Sequence, residues 1–544
     1  MDKVVTALEN AKVPLSKRGE LDYERSVETS NLLYRFSRPE FVLLPETPAH
    51  VQAIVRRAQA DKFPLTIKCG GHSYAGHSTA FEGVSLDLRR MNTAELDMTS
   101  KTITIGGGCQ WAQVYKTLIN GQHDGFVVNG GRCPSVGVGG FLLGGGLGPF
   151  SRSIGMGSDT IKEITIVTAE GKLVTVKDTD SRKSNEGRLF WALRGAGGGN
   201  FGVVVEFKLA VKQLRSPNRE VVASRYQWFS NTEDDLLADE TFMTTMNKFY
   251  TTNWPENITI DSTWTCDLGK DKAKGNGVRF TTCFDGSKTE FDTVIDKYVK
   301  HAKLAEQLKR RSLPESTTRF LHETLVAQWS EETQRAIPTN KKYYIYSSFV
   351  LRNDRRTIER ITLLLRDKFR AFRELFPGEK GEFLATFIHC GGKMGQAVDS
   401  AYFWREAVYH MYLTVEWEDK WLERDMRGFL YATKLAMRPF SLQGEAAFVN
   451  FPDGAFPAEV HERAYWGNNR EELRRIKQIW DKDNFFKSRQ GVLLPTGRPE
   501  VTPDWNKLPS DETLTDTFAT QQWEVYASKR SIIEDRKWLT DLGL

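Results

Sequence analysis

Two residues of this sequence are nucleophiles set among glycines. His72 lies in Cys69-Gly70-Gly71-His72-Ser73-Tyr74-Ala75-Gly76-His77-Ser78. Cys133 follows about sixty residues later, in the run from Gly130 to Gly148 (GGRCPSVGVGGFLLGGGLG). Small residues let main-chain amides approach a phosphate and form an anion nest, so two such loops together suit the pyrophosphate of a dinucleotide. One glycine loop alone reads equally well as a surface turn. Two loops, each carrying a reactive side chain, point to a bound cofactor.

Other chemistries lack their residues. A Rossmann fingerprint needs GxGxxG between strand and helix with an acid about 20 residues on, and Gly137-Val138-Gly139-Gly140 does not have that spacing. There is no Gly-Lys-Ser/Thr phosphate loop and no HExxH. Gly71-His72-Ser73-Tyr74-Ala75 is only half a nucleophile elbow, which wants glycine in its last place. The six cysteines (69, 109, 133, 266, 283, 390) are scattered without CxxC or zinc spacing, so we expect reduced thiols and no metal site.

The elements that must position these loops are legible on either side of them. A strand in FVLLP (41–45) leads into a helix capped by Thr47, with Pro48 in its first turn. LTIK (65–68) is a buried strand ending at the first glycine loop. VSLDL (84–88), TITI (102–105), ITIVTA (164–169) and KLVTV (172–176) read as strands, and WAQVYKTLIN (111–120) as a helix. The 130–148 run is too rich in glycine for a stable helix or strand interior. Residues 189–211 give a helix, a glycine turn and a strand. Beyond about 215 the glycines thin out. Amphipathic helices over 291–308 and 355–376 alternate with strand-like YYIYSSFVL (343–351), EFLATFIH (382–389) and YHMYLTVEW (409–417). A further helix covers 469–480 and a last one lies near 522–540. The expected class is α+β, a second sheet covered by helices following a glycine-rich first unit.

Bulk properties agree. A chain of 544 residues exceeds the ~250–300 that one core usually supports, so at least two domains are expected. The 14 Trp and 32 Phe would suit an enclosure for a planar ligand, or simply large cores. A net charge of +5 is too small and dispersed for nucleic acid, and no apolar run approaches the ~18 residues of a membrane span. The first twenty residues carry Asp, Lys and Glu where a secretion signal needs an apolar core, so a cytoplasmic protein is expected.

Taken together, these motifs resemble a known family. Lys68 to Gly76 resembles the loop of FAD-linked oxidases of the vanillyl-alcohol oxidase (PCMH-type) fold, in which the histidine is bonded to the flavin 8α carbon. Gly131 to Gly140 resembles the berberine-bridge-enzyme-like subgroup, whose cysteine is bonded to flavin C6. The likeness continues through Gly144-Gly145-Gly146, Arg152, Asp159, 189–195 and Gly199-Asn200-Phe201-Gly202, and returns at Tyr465-Trp466-Gly467-Asn468-Asn469 and Gln490-Gly491-Val492. It implies a two-domain fold, with a flavin domain over 1–215, a substrate domain over 216–463 and a return segment over 464–495. Residues 496–544 remain an unassigned tail. It implies FAD held covalently by His72 and Cys133. The implied cofactor contacts are Lys68, Cys69, Gly70, Gly71, Ser73, Tyr74, Gly76, His77, Ser78, Val136, Gly137, Gly139, Gly140, Phe141, Gly144, Gly145, Gly199, Asn200, Val203 and Asn450. Val136 stands at the position that controls oxygen access in this family, and a small branched residue there resembles the oxidases.

The sequence departs from the family where a proton must move. A Tyr-x-Asn-Tyr segment that often carries the catalytic tyrosine is here Phe448-Val449-Asn450-Phe451, and Phe141 replaces a histidine of the plant members. A base must come from elsewhere. Strand alternation puts His410, Tyr412, Thr414 and Glu416 on one face, and Tyr412, Glu416 or a water held by Asn450 could serve if that face looks at the flavin. The expected activity is oxidation of a small organic molecule (a secondary metabolite, phenolic, alcohol or amine) by hydride transfer, with O2 reduced to H2O2. Alternatives are a carbohydrate oxidase and a non-redox flavoprotein that templates a cyclisation.

Overall fold

The computed structural model describes residues 2–495 apart from 231–234, 336, 338, 340 and 457–459. The 496–544 tail, with its expected helix near 522–540, lies outside the described residues. Near the N-terminus, β1 (Leu15–Lys17), β2 (Phe41–Leu43), β3 (Leu65–Lys68) and β4 (Val84–Asp87) form a sheet in the order β1-β2-β4-β3. It is antiparallel at β1-β2 and parallel elsewhere. The helix Pro48–Asp61 makes the crossover from β2 to β3. Thr47 caps it by accepting from the His50 amide at 3.2 Å, and Val51, Ile54, Val55 and Ala58 bury its apolar stripe. The crossover delivers the end of β3 directly into the His72 loop.

The second sheet is antiparallel. It contains β5 (Ala94–Asp97) and β6 (Thr102–Gly106) and, after a short β7 (Phe126–Val127), β8 (Ile161–Thr168), β9 (Leu173–Lys177) and β10 (Gly202–Ala210), in the order β5-β6-β10-β8-β9. A two-residue β11 (Lys212–Gln213) pairs with β7. The helix Trp111–Asn120 and the 130–148 segment share a core with this sheet, through Trp111, Val114, Leu118, Val138, Leu142, Ile164 and Phe207. Contrary to expectation, the glycine run contains a short helix, Val138–Leu143. Val138 and Leu142 are fully buried, and that burial outweighs the roughly 1 kcal/mol that each interior glycine costs a helix.

The third sheet has seven antiparallel strands: β12 (Glu220–Phe229), β13 (Ile258–Asp267), β14 (Asn276–Phe284), β15 (Leu313–Ser316), β16 (Tyr343–Leu351), β17 (Gly381–His389) and β18 (Tyr409–Trp417). Their order is β15-β12-β14-β13-β17-β18-β16. Helices Arg355–Leu375 and Glu423–Met437 cover one face, with Phe369, Phe372 and Phe429 packed on Phe383. The 291–308 stretch, expected as one helix, is two: Lys288–Tyr298 and Ala302–Arg311. The His301 side chain accepts from the Leu304 amide and starts the second helix, so the apolar period continues across a break. Along β18, Tyr409, Met411, Leu413, Val415 and Trp417 enter the helix-side core, while Tyr412 joins the core of the second sheet on the other face. The expected alternation is therefore present, and its polar face looks toward the glycine loops. Together the three larger sheets make a two-domain α+β fold. No helix among the described residues is long and apolar enough to cross a membrane.

Candidate active site

A cavity of about 550 Å³ lies where the glycine loops meet the seven-stranded sheet, a size ordinary for a ligand site. Its wall brings together Cys69, Gly70, Gly71, His72, Ser73, Tyr74, Gly76, His77, Ser78, Cys133, Val136, Gly137, Gly139, Gly140, Phe141, Gly199, Asn200, Tyr412 and Asn450. The two loops interlock main chain on main chain. A Cβ added at Gly70 would lie 2.3 Å from the Gly137 nitrogen, and one added at Gly137 would lie 2.4 Å from the Gly70 nitrogen. No residue with a side chain fits at either place, so the composition of both loops follows from their contact. Cys69 stands behind them, its Sγ 3.1 Å from the Gly107 carbonyl, and burial pushes its thiol up to about 11.

Burial pushes His72 down to about 4, while the Ser135 main chain opposes that shift and Lys68 adds to it. At neutral pH the imidazole is uncharged and keeps a lone pair. Cys133 is buried, with Sγ 3.2 Å from Ser135 Oγ and 3.6 Å from Thr333 Oγ1. The Val136 amide donates to the Cys133 carbonyl at 3.2 Å, and the Val136 carbonyl accepts from the Trp111 amide at 3.1 Å, so one turn pinned to one helix places both side chains. All six cysteines are free thiols.

The fit of a flavin dinucleotide can be judged from the wall itself. Gly140 and Gly199 both line the cavity, and a Cβ at either would meet nothing within 4 Å. Main-chain atoms are thus bare to the lumen there, as a pyrophosphate requires. The return segment closes this end. Buried Lys477 donates to the Asn200 carbonyl at 2.6 Å, the Phe486 carbonyl at 2.5 Å and Asp481 at 2.7 Å. Asn200 Oδ1 accepts from the Val492 amide at 2.9 Å. Lys487, Ser488, Arg489 and Gln490 complete the wall. The residues present fit the cofactor.

Four of the expected cofactor contacts and one expected base do not reach the lumen. Lys68 donates to the Ser26 carbonyl at 2.5 Å on the far side of the loop. Val203 is buried in the core of the first sheet. Gly144 supports the wall from behind, since a Cβ there would lie 2.0 Å from Asn450 Oδ1, and Gly145 backs onto Met156. Glu416 is neither at the lumen nor in water: it is buried and paired with Arg335 at 3.1 Å and with Lys342. Its position near the end of β18 carries it past the cavity into a charge cluster. Asn450 donates to the Phe141 carbonyl at 2.9 Å.

Phe448 and Phe451 do line the cavity, with ring centroids 5.2 Å apart. Hydroxyls come instead from Tyr412, 4.8 Å from the Phe451 ring, and Tyr74, which stacks on Tyr346 at 3.9 Å. The sequence reading missed Trp329, Glu332 and Thr333, carried on or beside the short helix Ser330–Arg335. Tyr412 donates to Glu332 at 3.3 Å, and Glu332 pairs with Arg335 at 2.7 Å. Burial raises the Tyr412 phenol, and the Glu332 charge raises it further.

Comparison with known proteins agrees with this geometry. Residues 39–177 match the family described as FAD binding domain, and residues 447–493 that described as berberine and berberine like. A FAD-linked oxidoreductase of Bacillus subtilis is 26% identical over 481 residues, spanning 87% of this chain and 96% of its own. Berberine bridge enzyme-like 12 of Arabidopsis thaliana is 26% identical over 507 residues, 85% of this chain and 86% of its own. Among solved structures, berberine bridge enzyme from Eschscholzia californica superposes with a TM-score of 0.73 at 18% identity, covering 91% of this chain and 100% of that one. Chitooligosaccharide oxidase gives 0.71 at 19% identity, with 91% and 100% covered. With the interlocked glycine loops and the segment that closes them, these likenesses mark the chain as an FAD-linked oxidoreductase with an FAD binding domain over 39–177 and a berberine-like segment over 447–493, similar in fold to the berberine bridge enzyme.

Proposed function

We propose that the protein is an oxidase that holds FAD covalently through His72 and Cys133, oxidises a small organic alcohol or phenol, and passes the electrons to O2. The observation that carries this reading is that both nucleophiles line one cavity, on loops whose main chains touch. Residues 1–215 and 464–495 would form the flavin-binding unit, and 216–463 the unit that roofs it. When bound, the flavin supplies the hydride acceptor, and the protein supplies orientation and electrostatics. Neutral His72 would hold the 8α carbon, and Cys133 the C6 position. Gly140 and Gly199 would bare main chain to the pyrophosphate, and Asn450, fixed to Phe141, would hold the substrate or a water. Tyr412 would take the hydroxyl proton that the lost tyrosines cannot, and Val136 would leave room for O2.

The tether gives the first test. Acid-precipitated protein should stay yellow, and peptides containing His72 and Cys133 should both carry the flavin mass. His72→Ala and Cys133→Ala should each keep one bond, and only the double variant should release FAD. Recovery of all flavin in the supernatant from the unaltered protein would sink the proposal. Aerobic turnover should release H2O2.

A further inference from the structure

Among the described residues of the main cavity wall, Glu332 is the one carboxylate. It also lines a second, smaller cavity of about 170 Å³ on the other side of the His72 loop. That cavity is mostly polar: its wall includes Lys68, Gln110, Ser135 and Arg335 and runs out to exposed Glu28. Glu332 thus stands between the reacting chamber and a polar route outward, and Tyr412 donates to it from the chamber side.

We infer that Glu332 is the terminal proton acceptor of the oxidation, reached through Tyr412, and that the smaller cavity is the proton's way out. The inference rests on the oxidase reading above. As a carbon-bound hydrogen leaves the substrate as hydride for the flavin, the hydroxyl proton moves to the Tyr412 oxygen and the Tyr412 proton moves to Glu332 Oε1. The products are a carbonyl compound, a cofactor richer by two electrons and one proton, and a neutral Glu332, which then loses its proton through the smaller cavity to solvent. Tyr412 gains a proton as it gives one up, so it never becomes tyrosinate, and a strongly raised phenol is no obstacle to it.

Charged and polar groups from several elements surround Glu332. Arg335 binds it on its own helix and is itself shared with Glu416, which Lys342 also holds. Tyr412 faces it from β18, His72 and Tyr74 from the first glycine loop, and Tyr344 and Tyr346 from β16. Arg279 on β14 feels its charge, though Arg279 and Arg225 of β12 pair with the neighbouring Glu331. Lys68 and Glu28 lie across the smaller cavity.

The test uses holoprotein mixed without oxygen with benzyl alcohol, 4-hydroxybenzyl alcohol and cellobiose in turn. Glu332→Gln should lower the flavin reduction rate about a hundredfold at neutral pH, within the ~10²–10⁴-fold of general base catalysis. Glu332→Asp should recover most of it. The wild-type rate should fall on acidification and the Gln variant's should not. In the infrared difference spectrum between oxidised and substrate-reduced protein, a carboxylic-acid carbonyl band should be present in wild type and missing in Glu332→Gln. Melting temperature and flavin content show that each variant is folded. If wild type is reduced while Glu332→Gln keeps its rate, pH profile and band, the relay is wrong and the oxidase reading stands. If none of the three compounds reduces the wild type, both fall.

Discussion

At the scale of single residues, Val136 and Glu416 show what a position can and cannot reveal. Val136 lines the cavity three residues after Cys133, in the turn that places the thiol. Replacing it with Leu adds bulk at that wall and touches no proton-carrying group. Stopped-flow reoxidation of reduced Val136→Leu by air should be at least about tenfold slower than wild type, roughly 1.4 kcal/mol in barrier, with anaerobic reduction nearly unchanged. Slow reoxidation of the wild type itself would show a dehydrogenase. Glu416 shares the face that the alternation assigned to it, but periodicity gives direction and not distance along the strand. It lies four residues beyond Tyr412, outside the cavity. His72 and Cys133 stood out because the contact between their two loops requires glycine on both, and such glycine runs show in the sequence. Glu332 did not, because its six-residue helix carries no period, and only the tertiary fold brings it to Tyr412.

At the scale of elements, strands were easier to read than helix ends. β16 and β18 span the runs expected for them, since both faces are buried and β-branched or aromatic residues fill them. The break at His301 and the helix inside the glycine run depend on a cap and on burial, which an apolar period does not register. The return segment makes a quantitative prediction. Lys477 on the helix Arg470–Trp480 is wholly buried, and it ties the Asn200 loop to Phe486 and Asp481. Lys477→Met strands Asp481 without its cation and should cost roughly 3–5 kcal/mol. Urea unfolding of the two proteins would show it, and an unchanged midpoint would mean that the segment is not held as described.

At the scale of the whole molecule, arginines join the loops to the seven-stranded sheet. Arg132, next to Cys133, pairs with Asp261 of β13 at 2.5 Å, and Asp261 also accepts from the His389 amide of β17 at 2.8 Å. Arg152 reaches the carbonyls of Trp254 and Ile258 at 2.8 and 2.6 Å. Arg405 pairs with Asp159 at 2.7 Å. Burial raises the Asp261 carboxyl despite Arg132, so the pair is costly to desolvate and specific in geometry. Asp261→Ala should therefore free Arg132 and loosen the Cys133 loop while sparing the His72 loop. Peptide mapping should find flavin on the His72 peptide and little on the Cys133 peptide; equal occupancy would show that Asp261 does not set the cysteine's place. The touching of Gly70 and Gly137 has a mechanical consequence. With no side chain between the loops, the gap between them is one backbone laid on another, and it has no rotamers to change. Warming can shift side chains around the cavity, but where Gly70 meets Gly137 the spacing of the two loops is set by the thickness of the main chain itself.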